Sequence, residues 1–423
     1  MGKGIRKWTV MVYLAGDNNL DSAGVVDLKE MKKVGSTDDV AVVAQFDRIG
    51  NKGTTKRYFL RKGGTPDTDV VGDLGETNTG DPQVLQDFIL WAARTYPAEH
   101  YMTVIWNHGS GWDDEDLYRM GRALNRNIVR KGANISDTNF GAAVALSTAR
   151  AITGGGLKRA VFSTSIEKSL TTRAIAFDDG ARDFLDNIEM KKVFTAVTKK
   201  LGRKIDIIGM DACLMSMCEV YYQMKDAVLY CCGSEEVEPG DGWPYDTILS
   251  ALTAKPAMTP HDLSAVVVDK YLKSYKASDS VTQAACDIGK AQAVAAALDK
   301  LARVLTDGLS STAVRTAVIQ TRSRVQSYYT ADYVDLVDLC LLLMQYSGIK
   351  EIKASCQAVI DTLMKKGMVV KSGYKGTEVN NSHGVSIYFP TKKISPLYEK
   401  LDFVKKTKWA TFLKAYLGKM KRR

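Results

Sequence analysis

Histidine is scarce in this chain, with four in 423 residues. Any chemistry that needs an imidazole must draw on His100, His108, His261 or His383. The seven cysteines are odd in number, Cys231 and Cys232 are adjacent, and none stands in CxxC spacing. That argues against a disulfide framework or a thiolate metal site and leaves reduced, mostly buried thiols as the expectation. No EF-hand ligand spacing occurs, and no apolar run is long enough to span a membrane. The formal net charge is +10, but lysines and arginines are mixed with acids along the chain. The densest basic stretch runs from Lys400 to Arg423, and no module interleaves basic and aromatic residues as nucleic-acid readers do. A solvated basic surface is therefore expected, without nucleic acid or membrane as partner. A polyanion-binding role would instead show retention that falls steeply with salt. The basic start, Met1–Lys7, leads into a short apolar run rather than a signal-peptide core, so a cytoplasmic location is expected.

Apolar residues make up 45% of the sequence, which is ordinary for a globular protein. The length suits a large core and two domains. Trp8–Leu14 reads as a buried strand, Leu20–Val34 as a helix stopped by Gly35, and Asp39–Phe46 as a second strand. Lys56–Leu60 reads as part of a hairpin. Asp81 and Pro82 have the chemistry of a cap and a first helical residue, opening a helix that runs to about Tyr96. Tyr101–Trp106 is a third strand. This β-α-β-α-β order predicts a mostly parallel sheet with helices on both faces. Residues 113–172 are weakly patterned; the run Asp113–Asp116 fits a cation site or, more commonly, a solvated loop. Further elements are expected at Ile188–Leu201 (helix), Ile205–Ile208 (strand), Ala227–Gly233 (strand) and Val281–Ile288 (strand). From about residue 290 a smaller α+β domain is expected, giving domains 1–289 and 290–423. In that second part Tyr333–Leu339 has helical spacing, His383 reads as structural, and Lys408–Met420 as a final amphipathic helix.

Two strand ends carry the candidate chemistry. Ile205–Ile208 is a run of β-branched and acidic residues broken by Gly209, after which comes Asp211-Ala212-Cys213. Leu214–Val220 then has helix-like apolar spacing, which would set Cys213 between a strand's carboxyl end and a helix's amino end. Ligands bind at such crevices in open α/β sheets, and a helix amino terminus favours thiolate over thiol. The plainer reading is a buried structural cysteine. The third strand runs into Asn107-His108-Gly109-Ser110-Gly111-Trp112, so His108 also sits at a strand end, with glycines behind it. If both strands lie in one parallel sheet, His108 and Cys213 leave it by the same edge, a pairing suited to acyl transfer.

These two blocks, with Trp8–Leu20 at the start and Ser386-Ile387-Tyr388-Phe389-Pro390 near the end, resemble the clostripain family of cysteine peptidases. That family shares the caspase-like fold with gingipains, legumain and caspases. The resemblance spans most of the chain apart from the segment between the blocks. It implies a cysteine endopeptidase with Cys213 as nucleophile, His108 as acid/base, and the backbone N–H groups of Gly109 and Cys213 as oxyanion donors. It also implies cleavage after arginine or lysine in protein or peptide substrates. A cationic side chain needs a carboxylate in its pocket, and Asp211 and Asp241 match the family's acidic positions. On the residues alone, Asp211 also reads as a helix cap, and Asp241 as a turn residue in Pro239-Gly240-Asp241-Gly242. No cofactor is needed for the chemistry, although the resemblance implies possible calcium dependence. It further implies export, with the leader trimmed, as the alternative to a cytoplasmic location. Finally, it implies self-cleavage between the two blocks, giving a monomer or a two-chain form. An inactive peptide-binding relative and another cysteine hydrolase on the same sheet are the competing expectations.

Overall fold

The structure is a computed structural model that describes residues 5–17, 20–48, 54–107 and 185–420, together with the backbone of Lys158 and Arg159. His108, Gly109 and the rest of the weakly patterned segment lie outside the described residues.

The centre of the sheet is made by strands that are apolar on both faces. These are β1 (Arg6–Gly16), β2 (Val40–Arg48), β5 (Ala98–Trp106), β7 (Ile205–Asp211) and β8 (Val228–Gly233). All their pairings with one another are parallel. In β1, Met11, Tyr13 and Ala15 enter one apolar layer, while Trp8, Val10, Val12 and Leu14 enter the other. A strand covered on both faces needs no polar alternation, which is why these stretches read as continuous apolar runs.

Antiparallel strands finish both sides. β3 (Lys56–Phe59) and β4 (Val70–Asp73) lie beyond β2, and β10 (Val281–Asp287) and β12 (Val369–Lys375) lie beyond β8. The full order is β12-β10-β8-β7-β5-β1-β2-β3-β4. Two short pairs stand apart from it. β6 (Lys158–Arg159) pairs antiparallel with β9 (Glu238–Pro239), and β11 (Tyr333–Asp335) pairs antiparallel with β13 (Ser386–Tyr388).

Helices cover both faces. α1 (Asp21–Val34) is stopped at Gly35, whose backbone has φ 70°. α2 (Pro82–Thr95) starts as its sequence dictates: the Asp81 carboxylate accepts the Gln83 N–H at 2.8 Å, and Pro82 takes the first turn, where no N–H is required. α3 (Asn187–Leu201) carries a full capping box between Asp186 and Glu189 and ends on Gly202 in the left-handed region. α4 (Cys218–Met224), α5 (Tyr245–Ala254), α6 (Pro260–Ser274) and α7 (Ala291–Gly308) follow. Among the described residues no helix is long and apolar enough to cross a membrane.

Three local expectations are corrected. The break at Gly209 does not end its strand, because β7 continues to Asp211. Gly209 is there for space: a Cβ on it would stand 2.8 Å from the Trp243 ring. Leu214–Val220 is not one helix. Leu214 has φ 62°, Ser216 N–H donates to Ser234 O at 2.9 Å, and α4 starts only at Cys218 with Met217 before it. Tyr333–Asp335 is strand rather than helix, and Asp335 caps the helix that follows by accepting the Asp338 N–H at 2.6 Å. The apolar spacing of both stretches reflects burial, which a turn or a short strand satisfies as well as a helix does.

Residues on either side of position 290 share the main sheet through β12, and one continuous apolar layer runs from Met11 on β1 to Leu417 near the end.

Candidate active site

β5 and β7 are neighbours, with Trp106 in register opposite Asp211. Beyond that register the chain stays close, since Asn107 N–H donates to Asp211 O at 3.4 Å. The two strand ends singled out in the sequence therefore leave the same edge of the sheet side by side. Residue 108 follows directly on Asn107. His108 and Gly109 themselves lie outside the described residues.

Asp211 is fully buried at the end of β7. A buried carboxylate needs hydrogen bonds to offset its lost hydration. One comes from the Tyr245 hydroxyl, which donates to Oδ2 at 2.8 Å across 34 positions of sequence. Asp211 is not a helix cap, because α4 begins seven residues later.

Cys213 is fully buried two residues on. Its neighbour Leu214 holds a positive φ, an uncommon and strained state for a residue with a branched side chain. That kink turns the chain sharply after the sulfur. The helix that follows, α4, starts five residues beyond Cys213. The backbone of Glu238 meets the sulfur: its N–H donates to Sγ at 3.3 Å, and the thiol in turn faces Glu238 O at 3.9 Å.

Glu238 belongs to the turn Ser234–Glu238 that follows β8. The turn is tied down on several sides. Thr282 Oγ1 on β10 accepts the N–H groups of Glu235 and Glu236 at 2.9 and 3.0 Å, and Glu236 O accepts the Leu214 N–H at 3.3 Å. The Glu235 carboxylate reaches the later part of the chain, accepting the Gly384 N–H at 2.8 Å. Burial, with Asp335 close by, keeps the Glu235 carboxyl protonated well above the usual carboxylate range. His383 donates or accepts at Nδ1 with Asp335 at 3.0 Å; burial lowers its basicity, but this bond outweighs it and the imidazole is raised. Glu219, one residue into α4, is also sealed in. Burial lifts it to about 7, and it accepts from Tyr388 N–H and Tyr398 O–H at 3.0 and 2.8 Å.

Asp241 is placed differently from Asp211. It is exposed in the turn Pro239–Gly242, which Gly242 N–H closes on Pro239 O at 3.0 Å. The preceding pair, Glu238–Pro239, forms β9 against the backbone of Lys158–Arg159. Sequence reasoning named Asp211 and Cys213 but missed Tyr245, Glu235 and Glu238. Each acts through a contact between distant positions, and no local pattern signals such a contact. Among the described residues no three His, Cys, Asp or Glu side chains are grouped to hold a metal.

The model of the clostripain family matches residues 12–129 and 163–416, most of the chain. The chain belongs to the clostripain family. Clostripain of Hathewaya histolytica is 24% identical over 352 residues, covering 70% of this chain and 56% of that protein. The chain thus spans little more than half the length of the curated family member it matches. Two solved structures share the fold. A secreted C11 cysteine protease from Bacteroides thetaiotaomicron, in complex with an irreversible peptide inhibitor, is 20% identical with a TM-score of 0.61. An inactive zymogen C11 protease from Parabacteroides distasonis is 18% identical with a TM-score of 0.65. Each comparison covers 96% of this chain and 99% of the other. The mostly parallel, helix-flanked sheet expected from the sequence is thus the fold of C11 proteases.

Proposed function

We propose that this clostripain-family chain is a cysteine endopeptidase that hydrolyses peptide bonds after arginine or lysine. The observation that carries the reading is the side-by-side exit of β5 and β7, which brings position 107 to Asp211 and sets Cys213 just beyond. In this reading Cys213 attacks the scissile carbonyl as thiolate. His108 protonates the leaving amine, and the N–H groups of Gly109 and Cys213 receive the oxyanion. A preorganised donor of that kind lowers the barrier by roughly 3–4 kcal/mol. Asp211 meets the substrate's cationic side chain, with Asp241 as a second, outer carboxylate. The test is hydrolysis of arginyl, lysyl and alanyl amides by wild type and Cys213→Ala, before and after thiol alkylation. Turnover confined to the cationic substrates and lost with the thiol is expected. Equal rates on alanyl substrates, or activity that survives Cys213→Ala, would overturn the assignment.

The same reading includes activation by self-cleavage between the two blocks, after a basic residue such as Arg122, Arg126, Arg130, Lys131, Arg150, Lys158, Arg159 or Arg173. Two observations support it: Cys213 has no exposure in the uncut chain, and Lys158–Arg159 pair as a strand beside Glu238, whose N–H touches the sulfur. A C11 zymogen is known in structure from Parabacteroides distasonis. Wild type incubated beside Cys213→Ala should convert to two chains, with the variant staying whole on a denaturing gel. A fully active, single-chain wild type refutes this part alone.

A further inference from the structure

The helix that follows Cys213 starts five residues beyond it, at Cys218, so its amino terminus does not begin at the sulfur. The Glu238 N–H is placed to polarise the sulfur, at 3.3 Å from Sγ. A backbone donor aimed at sulfur stabilises the thiolate over the thiol, as hydrogen bonds to a charged form do generally. Its value depends on the donor staying put, because a turn that drifts by an ångström loses most of a hydrogen bond.

The Glu235–Glu236 part of the turn is held from two sides by groups from separate parts of the chain, and Gln283 Nε2 on β10 donates to Glu238 Oε1 at 3.3 Å. On β10, the Thr282 hydroxyl accepts from Glu235 N–H and Glu236 N–H. From the far side comes the loop before β13, where Gly384, in a positive-φ conformation with φ 106°, points its N–H at Glu235 Oε2. A side chain at Gly384 would run into Ser372 and Ala284, so this backbone sits pressed against β10 and β12. The loop is anchored in turn. Asp335 accepts His383 N–H at 2.6 Å, Ser216 accepts Ser386 N–H through its carbonyl at 2.9 Å, and the Tyr328 hydroxyl donates to Ser382 at 3.0 Å. Glu235 is wholly buried and faces Tyr328, Asp335 and Cys286, with His383 and Asp338 around Asp335. A neutral carboxyl in such a place is a fixed strut and not a charge for solvent or substrate.

We propose that Glu235 is a positioning residue for the Cys213 sulfur: its carboxyl, bound to the Gly384 N–H, fixes the Ser234–Glu238 turn so that the Glu238 N–H stays against Sγ. This rests on reading Cys213 as the nucleophile. It deepens that reading by giving residues 326–389 a part in the chemistry, although none of them reaches the substrate in this scheme.

The test measures kcat and KM on an arginyl amide, together with the pH profile of iodoacetamide alkylation of Cys213, for wild type, Glu235→Ala, Glu235→Gln and Thr282→Val. Glu235→Ala should lower kcat about tenfold, the scale of one well-placed hydrogen bond, with KM changed less than about twofold. The alkylation midpoint should move to higher pH. Glu235→Gln is neutral and keeps an oxygen for the Gly384 N–H, so it should restore both readouts. Thr282→Val loosens the same turn from the opposite side and should reproduce the Ala phenotype, which keeps the idea testable if Glu235→Ala fails to fold. If Glu235→Ala or Thr282→Val lowers melting temperature but leaves kcat and the alkylation profile at wild-type values, Glu235 is only structural and the proposal fails. It also fails if Glu235→Gln is as impaired as Glu235→Ala. A wild type without thiol-dependent turnover sinks the peptidase reading instead, a distinct outcome.

Discussion

In the proposed pocket Asp211 and Asp241 are two acids offered to the same cationic side chain, and the fold treats them in opposite ways. Asp211 ends a strand in the middle of the sheet, fully buried, with its carboxylate bonded to Tyr245 and its carbonyl to Asn107. Asp241 rides an exposed turn between two glycines. A buried carboxylate held by a hydroxyl is already desolvated and aimed before a substrate arrives. An exposed one must shed water and lose side-chain freedom to do the same work. In the proposed pocket the buried Asp211 would be a fixed floor and the exposed Asp241 an outer rim.

That contrast can be broken or sharpened by mutation. The largest effect is expected from Asp211→Asn. Removing one partner from a buried charge pair costs roughly 3–5 kcal/mol, so kcat/KM on arginyl substrates should fall by several hundredfold or more while alanyl substrates hardly change. A loss under about tenfold would mean that the floor lies elsewhere. Tyr245→Phe comes next. It removes the donor to Oδ2 without changing the packed ring, and a loss of about tenfold, mostly in KM, is expected from one buried hydrogen bond. Asp241→Ala should be the mildest, under about fivefold with melting temperature unchanged, as for an exposed ion pair. An Asp241→Ala effect as large as that of Asp211→Asn would show that the turn closes over the bound cation.

Much of this arrangement was legible in the sequence, for a specific reason. Parallel strands buried on both faces write themselves as continuous apolar runs, so Trp8–Leu14, Tyr101–Trp106 and Ile205–Ile208 stood out, and with them the strand ends that lead to Asp211 and Cys213. One cap was legible too, since Asp81 satisfies a backbone N–H only two residues away. The turn after Cys213 was not. Leu214, Met217 and Val220 are spaced like a helix face because all are buried. Val220 does lie in α4, but the Leu214 N–H goes to Glu236 and Met217 bridges to Ser386, partners that no local window contains. The same holds for Tyr245 on Asp211 and for Gly384 on Glu235, the latter a contact across 149 positions.

The placement of β12 has a consequence for how the chain is made. β10 has β8 on one side and β12 on the other, and 81 residues separate Asp287 at the end of one from Val369 at the start of the other. Until the ribosome has delivered residue 375, β10 presents a row of unpaired N–H and C=O groups, the kind of border that recruits strands from neighbouring molecules. Assembly of the sheet must therefore wait on a late, long-range pairing, the slow step in folds of high contact order. A chain ended at residue 289 would carry that open border permanently, together with an apolar layer whose cover was never synthesised. Expression of such a fragment should yield aggregate, and chaperone demand during synthesis should peak in the interval between β10 and β12.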